Sequence, residues 1–523
     1  MAWKMLQRED VEEQASRSQS HFKANKKISS NVHFICSLIK MFTQIHKKPT
    51  MSISKPMIIS LLSLSVILML ISILIFSTNS YSQTTQILIP SFNLNYFKNT
   101  HNTLYPNQET TPTNISHIVF SISGAVKTWH ARKHYVDSWW RPNGTRGFLF
   151  FDQAPIQHLP WPPTSPRVYV SNETMSQKGV PYTIRIARII KETFNAENKG
   201  VRWYVMGDDD TIFFLDNLVD VLNKYDHNGY YYVGMNSESV ISNSLFSFVM
   251  GFGGAGLVFS YPLANILAKN LDVCLERYKN FHGGDHILQS CVADLGVSLT
   301  QVKGFHQIDL HEDISGLLSA HPQTPLVSLH HLDMVEPIFP TMDRPRSLDH
   351  LMKSAKADQS RLLQQSICYN HPKNWSFSLS WGYSVHIYEK VLAPSLLQVP
   401  IQTFAEWRKG AKPAFMMNTR GLSKNRCDIP HYFYLDSVEE YPGGGERQEV
   451  VTSYVRRFPR RLPPCLMSGS RSANVVEKIL VISPVTRLET EGRRRECCDI
   501  VQVEKENVTT IKLRPCMQYE IIG

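Results

Sequence analysis

Apolar and polar positions alternate along this chain in a way that predicts strands and helices in turn. Residues 115–122 read as a strand, 128–140 as a helix, and 147–152 as a second strand that ends in Asp152. Over 182–195, Ile186, Ile189, Ile190 and Phe194 recur at helical spacing on one side. The aromatic and β-branched run 201–206 predicts a largely buried strand, followed by a helix over 216–225 and a strand over 230–234. Helices are expected from Pro262 to Leu271 and again after His282. The second has Ile287, Leu288, Cys291, Val292 and Leu295 on its apolar side, with Asp285 as its N-cap. Strands alternating with helices imply an α/β fold with a mostly parallel sheet flanked by helices. From about residue 342 the pattern changes to short alternating segments, such as 383–389 and 479–482, with many prolines. That change predicts a second, β-rich domain over 342–523.

One apolar run fits neither scheme. Residues 57–76 form twenty uncharged positions, enough to cross a bilayer as a helix. Lys47, Lys48 and Lys55 precede the run, and the first cation after it is Lys98. The positive-inside rule therefore places 1–56 in the cytosol and the rest on the far side, a type II signal anchor. Residues 77–113, rich in Ser, Thr, Asn and Gln, read as a stem to a folded part that starts near 114.

The sequons and cysteines agree with this orientation. Sequons at Asn114, Asn143, Asn172, Asn374 and Asn507 all follow the apolar run. Of nine cysteines, only Cys36 precedes it, and eight lie on the side expected to be oxidising. Cys274 and Cys291 suit a local pair; the other six would staple the C-terminal part in an undetermined order. The formal charge of +10 is concentrated near the start, with ten Lys or Arg against four acids in residues 1–56. No basic stripe with interleaved aromatics follows, which argues against a nucleic-acid partner.

The chemistry concentrates at Asp208-Asp209-Asp210, three adjacent acids directly after the buried strand 201–206. In open α/β sheets ligands bind at the carboxyl ends of strands. Clustered carboxylates there suit a hard divalent cation and, through it, a diphosphate. Further along, Gly253, Gly254, Ala255 and Gly256 form a segment that lets backbone approach a ligand closely. Neither a P-loop nor GxGxxG is matched.

The order Lys127-Thr128, Arg132, Trp139, Asp152, Asp208-Asp209-Asp210, Phe252 to Gly256, Gly284-Asp285 and Phe305-His306 resembles the Fringe-type glycosyltransferases of family 31. More closely it resembles the plant Fringe-related proteins that carry domain of unknown function 604; these share the C-terminal region, including Glu496-Cys497-Cys498-Asp499. The resemblance covers roughly 115–340 for the Fringe part. It implies a GT-A-type nucleotide-sugar-binding fold and a Golgi membrane enzyme with its catalytic domain in the lumen. It implies an inverting, Mn²⁺-dependent transfer from a UDP-sugar to a glycan or glycoside hydroxyl, with a β1,3-type linkage expected. Asp208 and Asp210 would hold the metal with His306, for which His330 and His331 compete. Lys127, Thr128, Arg132, Asp152, Asp208 and Asp209 would hold the nucleotide-sugar. Asp285 would be the catalytic base, and Gly253 to Gly256 would lie against donor or acceptor. The alternative is a lumenal carbohydrate-binding or scaffold protein that retains the fold without turnover.

Overall fold

The computed structural model describes residues 111–170, 182–441, 449–463, 465, 472–485, 487–488, 494–501 and 507–522. All of them belong to one compact unit, Glu109–Gly523. The apolar run 57–76, nearly all of the stem and Asn172 lie outside the described residues. Among the described residues no helix is long and apolar enough to cross a membrane.

A seven-stranded mixed sheet forms the first layer. In chain order its strands are β1 (Ile118–Ser123), β2 (Arg146–Phe151), β3 (Arg167–Val170), β4 (Trp203–Asp208), β6 (Tyr232–Gly234), β7 (Leu257–Ser260) and β8 (Leu299–Gln301). Their spatial order is β3-β2-β1-β4-β7-β6-β8, and only β7 runs antiparallel to its neighbours. Helices cover the sheet: α1 (Val126–Trp139), α2 (Tyr182–Ala196), α3 (Leu215–Leu222), α4 (Val240–Leu245), α5 (Tyr261–Tyr278) and α6 (Gly284–Asp294). The alternation read from the sequence is therefore present as an α/β layer, with ends shifted by a few residues.

Both faces of the sheet are buried, which is why β1 and β4 are apolar without alternation. Tyr204 and Met206 pack toward α2, α5 and α6 in one cluster. Trp203 and Val205 join a second cluster with α1 and the C-terminal part. Cys274 of α5 is bonded to Cys291 of α6, the local pair expected from spacing.

Beside the main sheet, three short strands carry the region that matters most below. β5 (Ile212–Phe213), β9 (Phe305–His306) and β11 (Ser328–Leu329) pair in the order β5-β11-β9. A further strand, β10 (Leu310–Glu312), pairs antiparallel with β15 (Phe404–Glu406) from the C-terminal half. The helices α7 (Ser315–Ala320) and α8 (Arg344–Ala357) connect this region to the second layer.

That layer is an eight-stranded sheet of β12 (Gln365–Asn370), β13 (Trp375–Ser380), β14 (Ser384–Tyr388), β16 (His431–Tyr441), β17 (Glu449–Val455), β18 (Lys478–Pro484), β19 (Cys497–Val501) and β20 (Val508–Arg514). The order runs β12-β13-β14-β16-β17-β18-β20-β19. The disulfide Cys368–Cys498 joins the first strand to the last, so the sheet curls on itself and its edges are protected. Adjacent residues of a strand face opposite ways, so Cys497 turns away from Cys498 and bonds Cys516 instead. Cys427–Cys465 completes the set, resolving the pairing that the sequence left open. One hydrophobic cluster runs from Ile118 to Leu513, so this sheet and the α/β layer share a core.

Candidate functional site

The three acids emerge where β4 ends, and a short turn fixes them. The Thr211 N–H donates to Asp208 O (3.0 Å), and the Asp208 N–H donates to Thr211 Oγ1 (2.8 Å). The Thr211 hydroxyl in turn donates to Gly254 O (2.8 Å), tying the acid turn to the glycine segment. Trp139 Nε1 donates to Thr211 O (2.9 Å), so this tryptophan is a buried brace for the turn. Gly207 is needed because a Cβ there would lie 2.9 Å from the Phe213 ring.

Asp209 and Asp210 are almost wholly buried, at 2% and 0% exposure. Such acids require compensation. Arg132 of α1 supplies part of it, with Nη1 2.9 Å from Asp209 Oδ1 and Nη2 3.0 Å from Asp210 Oδ2 and 2.8 Å from Asp333 Oδ2. Arg132, expected on the nucleotide, is thus engaged by three carboxylates. Asp209 Oδ2 and both Asp210 oxygens still lack a hydrogen-bond partner. Burial and then Asp210 push the Asp209 carboxyl up to about 7, and burial with its neighbours raises Asp208 as well. Burial also opposes the charge on Asp210, but His330 and Arg132 outweigh it and hold that group low.

The histidine nearest these acids is His330. Its Nε2 is 3.2 Å from Asp210 Oδ1 and 3.8 Å from Asp208 Oδ2. Strand register explains this: β11 pairs antiparallel with β5, so the residue after Leu329 comes level with Thr211, next to Asp210. His306 is opposite Leu329 on the other side, and its ring turns away from that of His330. It pairs instead with buried Glu238, His306 Nδ1 to Glu238 Oε1 at 2.9 Å, beside the His321 ring. The histidine beside Asp208 and Asp210 is thus His330, while His306, expected as a metal ligand, lies in a separate group with Glu238 and His321. Atoms of Asp210, His330 and His331 lie close enough together to hold one ion. Buried carboxylate oxygens that make no hydrogen bond, beside an imidazole, fit a divalent cation such as Mn²⁺.

Asp285 lies in the first turn of α6, not at its N-cap, which is Gly283 with φ 92°. Only glycine adopts that backbone readily, and it turns the chain so that Asp285 points at the glycine segment. Asp285 Oδ2 accepts from the Gly253 N–H (2.9 Å). Burial pushes its carboxyl up to about 6 against the pull of that bond. A Cβ on Gly253 would be 2.4 Å from Asp285 Oδ1, and one on Gly254 would be 2.1 Å from His330 Cε1. The two glycines thus admit the two functional side chains. Ala255 is fixed by its N–H to Gln307 Oε1 (2.7 Å), and Gly256 has φ 108°.

Lys127 and Thr128 lie in the first turn of α1, at the carboxyl end of β1. Lys127 is exposed, while the Thr128 hydroxyl donates to Ala125 O (3.2 Å). Asp152, at the end of β2, accepts from the Val126 N–H (3.0 Å) and holds the start of α1. A Cβ on Gly124, just before α1, would be 3.1 Å from Asp209 Oδ2, so these residues border the acid cluster. Asn114, Asn143 and Asn507 are exposed, and Asn374 is half-buried in a left-handed turn.

A cavity of ≈ 200 Å³ opens beside Asp285, with Phe246, Phe252, Asp309, His331 and Trp407 in its wall. Trp407 follows β15 and comes from the C-terminal half. Its ring stacks on His311 (4.6 Å, 15°) and on His331 (4.8 Å, 12°). His331 Nδ1 is 3.1 Å from Asp309 Oδ1; burial disfavours its charge, but Asp309 outweighs burial and raises its pKa. Sequence reasoning missed Thr211 and Trp407. A larger cavity, ≈ 380 Å³, shares none of these residues.

A Fringe-like family model matches residues 113–335, and a model described as a protein of unknown function, DUF604, matches 242–498. A β1,3-glucosyltransferase of Mus musculus is 29% identical over 191 residues, covering 34% of this chain and 37% of the relative. One of Homo sapiens is 26% identical over 167 residues, covering 30% and 32%. The chain thus spans about a third of the length of these relatives. Mouse xyloside xylosyltransferase 1, in its apo form, aligns over 38% of this chain and 87% of its own at 11% identity, with a TM-score of 0.24. A score that low adds nothing to the topology above. The buried acid turn and the glycine segment both lie within the region that the Fringe-like model matches, and the chain is similar over part of its length to β1,3-glucosyltransferases.

Proposed function

We propose that the protein is an inverting glycosyltransferase that moves a sugar from a UDP-sugar to a hydroxyl of a glycan or glycoside, forming a β1,3-type linkage on a GT-A-type fold. The observation that carries this reading is the arrangement around Gly253 and Gly254. On one side stand His330 and buried carboxylates with oxygens that make no hydrogen bond; on the other stands Asp285 with a raised pKa. Asp208, Asp210 and His330 would hold Mn²⁺, which as a Lewis acid supplies stabilisation of the charge on a leaving diphosphate. Asp209, Lys127 and Thr128 border the place where the nucleotide would lie, near the amino end of α1.

Asp285 acts as general base. It takes the proton of the acceptor hydroxyl as that oxygen bonds to the anomeric carbon, while the bond from that carbon to the diphosphate oxygen breaks. UDP leaves with the bonding pair. A carboxyl held near 6 is ionised at neutral pH yet basic enough to accept a proton. The aromatic walls of Phe246, Phe252 and Trp407 suit the apolar face of a sugar.

We further propose a type II Golgi membrane protein, its anchor being residues 57–76. Supporting this are the lysines before that run, the sequons after it, and four disulfides, which belong to an oxidising compartment. The test is UDP release by the full-length chain across a panel of UDP-sugars, with acceptor glycosides, in Mn²⁺ or EDTA. Mn²⁺-dependent release from one donor, lost in both Asp210→Asn and Asp285→Asn, supports the reading. Glycan binding that is equal in wild type and both variants, with no turnover, would establish the scaffold alternative instead.

A further inference from the structure

The larger cavity, ≈ 380 Å³, lies between the α/β layer and the eight-stranded sheet, and the reaction proposed above does not use it. It is bounded by the end of α3, the segment after β8, the segment before β11, the start of β12 and the approach to β19. Its volume falls within the range of about 300–1,000 Å³ typical of small-molecule sites.

Its lining is cationic. Lys224, Lys303, Arg494 and Arg495 stand against one acid, Glu496. That acid is already held by Arg361, whose Nε and Nη2 each lie 2.8 Å from a Glu496 oxygen. Arg494 is also committed, since its guanidinium donates to the Met517 and Glu520 carbonyls. Arg495 is different. It is half-buried, and among the described residues its guanidinium has no hydrogen bond or ion pair. Burial lowers its pKa, with no carboxylate to offset the effect. A half-buried guanidinium with no counter-ion is costly unless an anion comes to it.

The rest of the wall is unlike a site for a bare anion. Gln301 and Gln323 contribute side-chain amides, which both donate and accept and so match sugar hydroxyls; the Gln364 amide nitrogen already donates to Thr324 O (2.9 Å), so that residue offers only its oxygen. On two further lining residues, Gln365 Oε1 and Thr324 Oγ1 have no partner. Val302 and Pro325 add apolar surface.

We propose that this cavity is a second saccharide site, which binds an acidic oligosaccharide by pairing its carboxylate with Arg495 and Lys303 and its hydroxyls with the glutamine amides. It is distinct from the Asp285 cavity and would hold a uronate-bearing glycan apart from the reacting centre. The inference does not depend on the transferase reading, because no residue is shared.

Titration calorimetry on the full-length protein tests it, with a galacturonate trisaccharide, the neutral galactose trisaccharide and inorganic phosphate as probes. The expected result is binding of the uronate trisaccharide, at least tenfold weaker binding of the neutral one, and at least tenfold loss in Arg495→Gln. Lys303→Gln should weaken binding in the same direction, and Asp285→Asn should leave it unchanged. Circular dichroism melts confirm that the variants fold. Three outcomes overturn the proposal: no uronate binding, binding indifferent to both Arg495→Gln and Lys303→Gln, or loss in Asp285→Asn. Phosphate binding as tightly as the trisaccharide would also overturn it, by making the cavity an inorganic anion site.

Discussion

A methyl group on Gly254 would fall 2.1 Å from Cε1 of His330, so the glycine and the histidine occupy one contact. The imidazole can stand beside Asp210 only because residue 254 has no side chain. Gly254→Ala therefore displaces the ring. We expect at least a tenfold loss of Mn²⁺ affinity, the scale seen when the support of a metal ligand is removed. Manganese titration with turnover as readout checks this. The same substitution at Gly421, where nothing lies within 4 Å, should leave affinity unchanged.

His330 and His306 should respond differently to replacement. His330→Ala should abolish Mn²⁺-dependent turnover, since its Nε2 is 3.2 Å from Asp210. His306→Ala should act on stability, because its partner is buried Glu238. Removing one member of such a pair costs about 3–5 kcal/mol. Thermal melts and metal titrations on both variants separate the two roles. A His306→Ala protein that folds normally but loses Mn²⁺ would reverse the assignment.

Much of the fold and the site was legible in the sequence, and the reason differs from one element to the next. β4 and its acids were plain because a buried apolar strand that runs into Asp208, Asp209 and Asp210 concentrates charge where packing alone has no use for it. The choice of histidine was not plain, because it depends on the pairing of β5, β11 and β9, strands of only two residues each, too short to leave a periodic signal. Trp407 was invisible for a related reason. It is carried to the cavity by pairing of β10 with β15 across almost a hundred residues, and loop contacts of that range leave no local pattern. The start of α6 was read two residues late: Asp285 looked like an N-cap, but Gly283 takes that place and frees the carboxylate to face Gly253.

Arg132 neutralises three acids at once, so Arg132→Gln should destabilise the protein by about 3 kcal/mol through the uncompensated carboxylates. Added Mn²⁺ should recover more stability in the variant than in wild type, because the cation replaces part of the lost charge. Melting curves with and without Mn²⁺ measure the difference. An equal metal-induced rise in both proteins would count against the acids being the metal site.

The acceptor reading of the Asp285 cavity is tested at Trp407. Trp407→Ala removes an aromatic wall of the Asp285 cavity and the stacking on His331. Aromatic stacking of this kind contributes about 0.5–1.5 kcal/mol beyond buried area. We expect the acceptor KM to rise roughly tenfold, with donor KM nearly unchanged. A rise confined to the donor KM would place the sugar acceptor elsewhere.

The raised pKa of Asp285 gives opposite expectations for activity and stability. As base it must be ionised, so kcat/KM should rise with pH through a limb near 6 and level off above it. For folding, the group binds its proton more tightly in the native state than in the unfolded chain, where its pKa is about 3.9. The ionised carboxylate therefore destabilises the fold. That penalty is fully present above pH 6, shrinks as pH falls, and is absent below about pH 4. Asp285→Asn keeps an oxygen for the Gly253 N–H but carries no charge. It should abolish turnover while stabilising the protein at pH 7.5, by an amount of order 1 kcal/mol after solvent screening, and should give no gain at pH 4. Denaturant titrations at the two pH values decide the matter: a gain at pH 4 equal to that at pH 7.5 would show that Asp285 is not a strained, buried carboxylate.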